Sequence, residues 1–255
     1  MHKKSIKVVL HGGLGNQLFQ YLIAKILIVK YPKYKIIMID DLLSKYNVAR
    51  DFELSIILNK NESQSYPADW LIRLRLPKVM ARLSRAREYI MRIPFYGYII
   101  DGYYQSVHNY RNFSDESIAC AIESIRVAVN KRNILLKPLN SKVRHLRLTD
   151  FFKDTGEARS YIKQCLAEID SDIDFITDQE DLLLEELRNF NSRFKVNLLP
   201  TAHMKAWDLV ALMSSYREIV TNGSTLPMWV AILAKTELTT SNKNHSDLWS
   251  KLVNL

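Results

Sequence analysis

Three short stretches carry residue types able to bind and transfer a charged group. The first is Gly12-Gly13-Leu14-Gly15-Asn16-Gln17. Glycines at a strand end let the backbone approach a ligand, and the helix that follows offers N–H groups and a positive dipole end. The run is neither G-x-G-x-x-G nor a P-loop, so on its own it also fits a plain strand-to-helix turn. The second is His145-Leu146-Arg147-Leu148-Thr149-Asp150. Strand alternation puts His145, Arg147 and Thr149 on one face and Leu146 and Leu148 on the other. An arginine there can clamp a diphosphate through its fork of donors and stabilise charge on a departing nucleotide. The alternative is an edge strand with a solvated face. The third is Asn222-Gly223-Ser224-Thr225. Ser224 and Thr225 can donate to a phosphate at a helix N-terminus, or merely cap that helix.

Positioning these groups requires strands that end where the motifs begin. Ile6 to His11 reads as a buried strand, Gln17 to Lys30 as a helix and Lys35 to Ile39 as a second strand. Asn59 to Pro67 reads as a polar loop, Leu71 to Arg92 as a basic amphipathic helix, Tyr98 to Tyr104 as a strand and Ser114 to Val129 as a helix. Lys131 to Ser141, with Pro138 and Asn140, reads as a linker. Strand and helix then alternate. Strands are expected at Val143 to Leu148, Ile173 to Thr177, Val196 to Leu199 and Glu218 to Thr221. Helices are expected at Arg159 to Ile169, Glu180 to Asn189, Ala206 to Ser214 and Ser224 to Ala234. This is an α/β chain with two Rossmann-like domains, residues 1–138 and 139–255, facing across a cleft.

Composition narrows the classes of function. With 47% hydrophobic and 25% charged residues over 255 positions, the chain can bury a sizeable core and is not disordered. Cys120 and Cys165 make no disulfide framework and no zinc spacing, which fits a reducing compartment. The N-terminal apolar stretch is too short for a signal peptide, and no run approaches the ~20 apolar residues of a membrane span. A cytoplasmic location is expected. The net charge of +9 is concentrated at 71–92, where Arg73, Arg75, Lys78, Arg82, Arg85, Arg87 and Arg92 face Glu88 alone. This segment is either a solvated helix on the core or a peripheral contact with an anionic inner-membrane surface. It lacks the interleaved aromatics of a single-strand binder, so no nucleic-acid partner is expected.

Taken in order, the motifs resemble the bacterial α-1,2-fucosyltransferases, a metal-independent, inverting group of the GT-B type. The resemblance lies in Gly12 to Tyr21, Gly102-Tyr103-Tyr104-Gln105-Ser106 and His145 to Asp150. Weaker matches are Thr177-Asp178-Gln179, Asp208 to Ser214 and Ser224 to Trp229. It implies a GDP-fucose or GDP-colitose donor, an oligosaccharide or lipid-linked glycan acceptor in surface polysaccharide synthesis, and no cofactor or metal. It implies Arg147 on the β-phosphate of GDP, His145 beside the nucleotide, Ser224 and Thr225 at the phosphates and Asp178 near the ribose or base, with Thr149 among the donor contacts. Gly13, Gly15, Asn16 and Gln17 would line the acceptor side.

Departures from the pattern cluster around the donor sugar. Leu148 stands where the family carries a second arginine, the stretch at Asn222-Gly223 is either one residue longer than its Asn-Ser-Thr or has Gly in place of Asn, and Pro227 and Met228 replace a serine and a tryptophan. The reaction needs a proton acceptor or a phosphate-assisted route, and Asp150 is the candidate base, alternatively a helix cap or a partner of Arg147. The two Asp-x-Asp triplets of Asp170 to Asp174 could ligate Mg²⁺ or Mn²⁺, but they precede a strand and so fall at the end of the sheet away from the motifs.

Overall fold

The computed structural model describes residues 4–40, 43, 51–59, 62–65, 88–93, 97–137, 140–149 and 151–255. The chain divides into two compact units, Met1–Asn133 with Ser250–Leu255, and Ile134–Trp249.

The first unit is built on a five-stranded sheet of order β3-β2-β1-β5-β4. Its strands are β1 (Ser5–Val9), β2 (Lys35–Ile39), β3 (Glu62–Ser65), β4 (Tyr89–Ile93) and β5 (Gly97–Asp101). β1 lies at the centre, parallel to both β2 and β5, with Val9 opposite Ile39 on one side and Asp101 on the other. Helix α1 (Leu14–Lys30) follows β1 and is buried on nearly every face from Leu14 to Leu27. A helix apolar all round has to sit inside the unit, and α1 packs against α2 (Asp115–Asn130). Ser114 caps α2 by accepting from the Ser117 N–H, with Asp115 and Glu116 favourable in its first turn.

The second unit is a fully parallel sheet of order β10-β9-β6-β7-β8. The strands are β6 (Asn140–Leu146), β7 (Ile173–Thr177), β8 (Val196–Leu198), β9 (Tyr216–Thr221) and β10 (Glu237–Thr240). Helices α3 (Thr155–Ala167), α4 (Glu180–Arg188), α5 (Ala206–Ser214), α6 (Thr225–Ala234) and α7 (Lys243–Val253) follow in chain order. Leu146, Leu148, Ile162, Phe175 and Leu183 share one core cluster, so the apolar face of β6 meets α3 and α4.

Several expectations are corrected. Tyr89–Ile93, the end of the expected basic helix, is a strand antiparallel to β5, with Ile90 opposite Ile100 and Met91 opposite Ile99. The rest of that segment, 71–87, lies outside the described residues. Glu62–Ser65, expected as loop, is a strand beside β2, where Glu62 accepts from Lys25 Nζ at 3.0 Å and Tyr21 Oη at 2.7 Å. β6 is the centre of its sheet, not an edge. α1 starts three residues early, at Leu14, with Gly13 as its N-cap. β10 and α7 were not anticipated.

Gly97 sets the close approach of β5 to β1. Its φ is +122°, and a Cβ there would lie 1.9 Å from the Ser5 carbonyl oxygen. Any side chain must displace backbone, not a flexible neighbour. Gly97→Ala is therefore expected to lower the unfolding free energy by about 2–4 kcal/mol in urea titrations. A change under about 0.5 kcal/mol would contradict the close approach.

Candidate functional site

In an open α/β sheet, ligands bind beyond the carboxyl ends of the strands, where the strand order reverses. In the second unit that point lies between β6 and β9, since the chain runs β6-β7-β8 to one side and places β9 and β10 on the other. Arg147 follows β6 and Asn222 follows β9, so two of the three sequence motifs meet there.

Their meeting is built from side chain to backbone. The Asn222 amide donates to the Arg147 carbonyl at 2.7 Å, and the Arg147 N–H donates to Asn222 Oδ1 at 3.2 Å. This replaces one rung of the ladder that ends at the strands. Asn222 is buried, as an amide completing a backbone must be. Asn222 appears in the motif but was not among the expected ligands; its role is to fix Arg147.

Asp178, after β7, completes the frame. Its carboxylate accepts from the Leu148 N–H at 2.8 Å, the Thr149 N–H at 3.4 Å and the Thr149 hydroxyl. Arg147 Nε lies 3.2 Å from the same carboxylate, and both side chains are about a quarter exposed. Arg147, Thr149 and Asp178 thus form one group with the guanidinium at its accessible edge. Asp150 lies outside the described residues.

His145 is buried on the same side of β6 as Arg147, and its Nδ1 has no hydrogen-bond partner among the described residues. Burial pushes its imidazole down from the ordinary 6.5 to about 4; nearby Asp178 opposes the shift and Arg147 adds to it. The ring is neutral at physiological pH.

Gly223 takes φ +103° as the chain turns from β9 into α6, and a Cβ there would come within 3.1 Å of Asn242. Ser224 is the N-cap residue, yet its side chain makes no capping bond; its N–H donates to Thr221 Oγ1 at 3.3 Å. Ordinary capping therefore does not account for Ser224. Ser224 and Thr225 are both half-buried at the start of α6.

The residues expected on the acceptor side belong to the first unit. Gly13 has open space where a Cβ would stand, and Gly15 is buried in the first turn of α1. Asn16 Oδ1 accepts from Gln105 at 2.6 Å. Gln17 is fully buried, and its amide is committed to the Gly12 carbonyl, the Asp51 carbonyl and the Glu53 N–H. Gln17 braces a loop against α1.

The Asp-x-Asp carboxylates are engaged by protein partners. Asp170 accepts from Lys142 at 3.2 Å and Asp172 from the Lys195 N–H at 2.9 Å. Asp174 accepts from Asn197 at 2.7 Å and Tyr216 at 2.6 Å. No cluster of three or more His, Cys, Asp or Glu side chains suited to a metal ion occurs among the described residues. Nor is any described helix long and apolar enough to cross a membrane.

No family and no curated protein sequence matches the chain. Solved structures do. NodZ α-1,6-fucosyltransferase co-crystallised with GDP is 12% identical with TM-score 0.50, covering 91% of this chain and 93% of that one. The fucosyltransferase NodZ from Bradyrhizobium is 12% identical with TM-score 0.52, covering 91% and 94%. An ADP-heptose lipopolysaccharide heptosyltransferase II from E. coli also matches, at 12% identity and TM-score 0.44, covering 94% and 86%. The fold is GT-B-like, with two Rossmann-like units.

The buried His145 has a measurable consequence. The folded protein holds the ring neutral down to about pH 4, while the unfolded chain takes the proton near 6.5. Its contribution is therefore full above about pH 6.5 and is lost as pH falls toward 4. His245, also lowered by burial, acts in the same direction. Thermal and urea unfolding at about pH 7 and pH 5 should show wild type losing about 2 kcal/mol more than His145→Gln. Equal losses in the two proteins would place His145 outside this buried, neutral state.

Proposed function

We propose that this protein is a glycosyltransferase that moves a deoxy sugar from a GDP-sugar to a glycan hydroxyl. The observation that carries the reading is the Arg147 guanidinium, framed by Asn222 and Asp178 at the reversal point of the second sheet and beside the start of α6. A fold shared with a fucosyltransferase co-crystallised with GDP supports the nucleotide. Arg147 binds the β-phosphate and stabilises the charge that develops as GDP leaves. Ser224 and Thr225 contact the phosphates at the helix start, Thr149 and His145 border the nucleotide, and Asp178 holds Arg147 while facing the ribose or base. The donor is GDP-fucose or GDP-colitose. The acceptor is an oligosaccharide or lipid-linked glycan, with an inverting α-1,2 linkage, in O-antigen or capsule assembly. Transfer proceeds without a metal, a reading supported by the protein partners that the Asp170, Asp172 and Asp174 carboxylates already have. The enzyme works in the cytoplasm, at the inner face of the membrane.

A second reading, nucleotide binding without turnover, draws on Leu148. The position of the family's second arginine is here a buried member of the core cluster. Turnover that Arg147→Ala abolishes rules this out.

Calorimetry in excess EDTA, with UDP as the comparison, tests the donor. We expect GDP to bind with micromolar affinity, UDP much more weakly, and Arg147→Ala to weaken GDP about 10- to 100-fold. Absence of GDP binding with and without added Mg²⁺ would sink the reading; binding only with Mg²⁺ would sink its metal-free form.

A further inference from the structure

The end of the first sheet where β1, β2 and β5 start, opposite the glycine-rich motif, gathers residues that the sugar-transfer reading does not use. Ser5 of β1 pairs with Lys35 of β2 on one side and Gly97 of β5 on the other. α1 ends at Lys30, and the chain turns into β2 through Tyr31 and Tyr34, the Tyr34 N–H donating to the Tyr31 carbonyl at 3.0 Å. The strand starts and this turn bring Tyr31, Tyr34 and Tyr98 together. Ring centroids are 5.2 Å apart for Tyr31 with Tyr34, 5.2 Å for Tyr31 with Tyr98 and 6.2 Å for Tyr34 with Tyr98. All three side chains are partly exposed.

Cations surround the rings. Lys30 Nζ lies 5.8 Å from the Tyr31 ring centroid, and Arg92 of β4 stands opposite Tyr98 of β5. A hydrogen bond with Tyr98 lowers the pKa of the Tyr31 hydroxyl, and the charges of Lys30 and Arg92 add to the shift. Lys4, Lys30, Lys33, Lys35 and Arg92 are all exposed, and none of them makes an ion pair among the described residues. The segments that meet here, 4–9, 26–39 and 89–100, contain no Asp or Glu. The face is therefore complementary to a surface of negative charge. Its rings pack on one another, whereas a single-strand binder presents separate open faces to successive bases. Tyrosines with an apolar body and a polar tip, set among lysines, suit the headgroup layer of an anionic bilayer.

We propose that this tyrosine–lysine face, at the starts of β1, β2 and β5, docks the protein on a bilayer of anionic phospholipid. This rests on the membrane location in the sugar-transfer reading above. The lysines and Arg92 meet lipid phosphates, and the tyrosine rings settle at the headgroup level with their hydroxyls among the polar groups. Parallel strands carry their starts and exits at opposite ends of a sheet, so docking by the starts leaves the exits of β1 and β5 pointing away from the bilayer.

The test is flotation of the full chain with vesicles of phosphatidylcholine, alone or with about 30 mol% phosphatidylglycerol. Binding is expected only to the anionic vesicles at low salt, and should fall about tenfold or more in about 0.5 M NaCl. The triple variant Lys30→Gln, Lys33→Gln, Arg92→Gln should lose about tenfold or more of the wild-type partition, and Tyr34→Ser about threefold or more. A control that removes the same charge from the second unit, Lys163→Gln, Arg188→Gln, Lys195→Gln, should stay within about threefold of wild type. If melting shows the triple variant destabilised, the single variants Lys33→Gln and Arg92→Gln give the same reading at exposed positions. Absence of wild-type flotation at low salt would overturn the proposal, as would equal losses in the triple variant and the control. Stronger binding of oligouridine than of anionic vesicles at equal phosphate, lost in the triple variant, would overturn it in favour of nucleic acid. Calorimetry with GDP separates this proposal from the donor reading. Flotation without GDP binding keeps the docking face and sinks the donor reading; GDP binding without flotation does the reverse.

Discussion

Where two parallel strands part at a reversal point, the backbone groups just past the ladder lose their partners, and water cannot serve them inside a packed unit. Both units meet this constraint with a buried carboxamide. Gln20 joins the exits of β1 and β5 through the His11 N–H and the Gly102 carbonyl. Asn222 joins the exits of β6 and β9 through both backbone groups of Arg147. Each amide fixes the backbone at its strand exit, that of His11 in one unit and of Arg147 in the other. Asp178 extends the same logic, since its carboxylate takes up the Leu148 and Thr149 N–H groups that β6 can no longer pair.

The two carboxamides act from rigid supports. α1 and α6 are each buried along most of their length, so the turns before them inherit a fixed position. That matters for electrostatics. A preorganised donor stabilises developing charge without the reorganisation that solvent would require. Arg147 is held by its ion pair with Asp178 while about a quarter of its side chain stays accessible. His11 is held at its strand exit by the 2.5 Å contact of its Nε2 with Asp101 Oδ1.

Period and punctuation made most of the α/β order legible: β2, β7 and α5 have the bounds that the residue pattern predicts. Failures occurred where tertiary context overrides local pattern. Glu62–Ser65 is polar and looks like loop, yet it pairs because Glu62 is held by Lys25 and Tyr21. Tyr89–Ile93 carries basic neighbours that suggest a helix, but β5 recruits it. At the site, Arg147 was visible from strand alternation. The His11–Asp101 pair was not, because its members are 90 residues apart and only the parallel pairing of β1 with β5 brings them together. Gln17 was legible as a polar residue in a glycine-rich turn, but its three internal bonds, to partners as far away as Asp51 and Glu53, were not.

The departures from the resembled family are also easier to interpret once burial is known. Leu148 is buried with Leu146, Phe175 and Leu183, and Pro227 and Met228 are buried within α6. An arginine at 148 would need a buried counter-charge, since an unpaired ion in such a cluster costs several kcal/mol. The neighbours Leu146, Phe175 and Leu183 are apolar, and leucine fits among them. These changes therefore alter what lies behind the polar rim and leave Arg147, Asp178, Asn222 and Ser224 in place. Packing behind the rim and hydrogen bonding within it are thus separate: the Arg147–Asp178 ion pair and the Asn222 amide depend on backbone positions at the strand exits, which a buried leucine or methionine leaves unchanged.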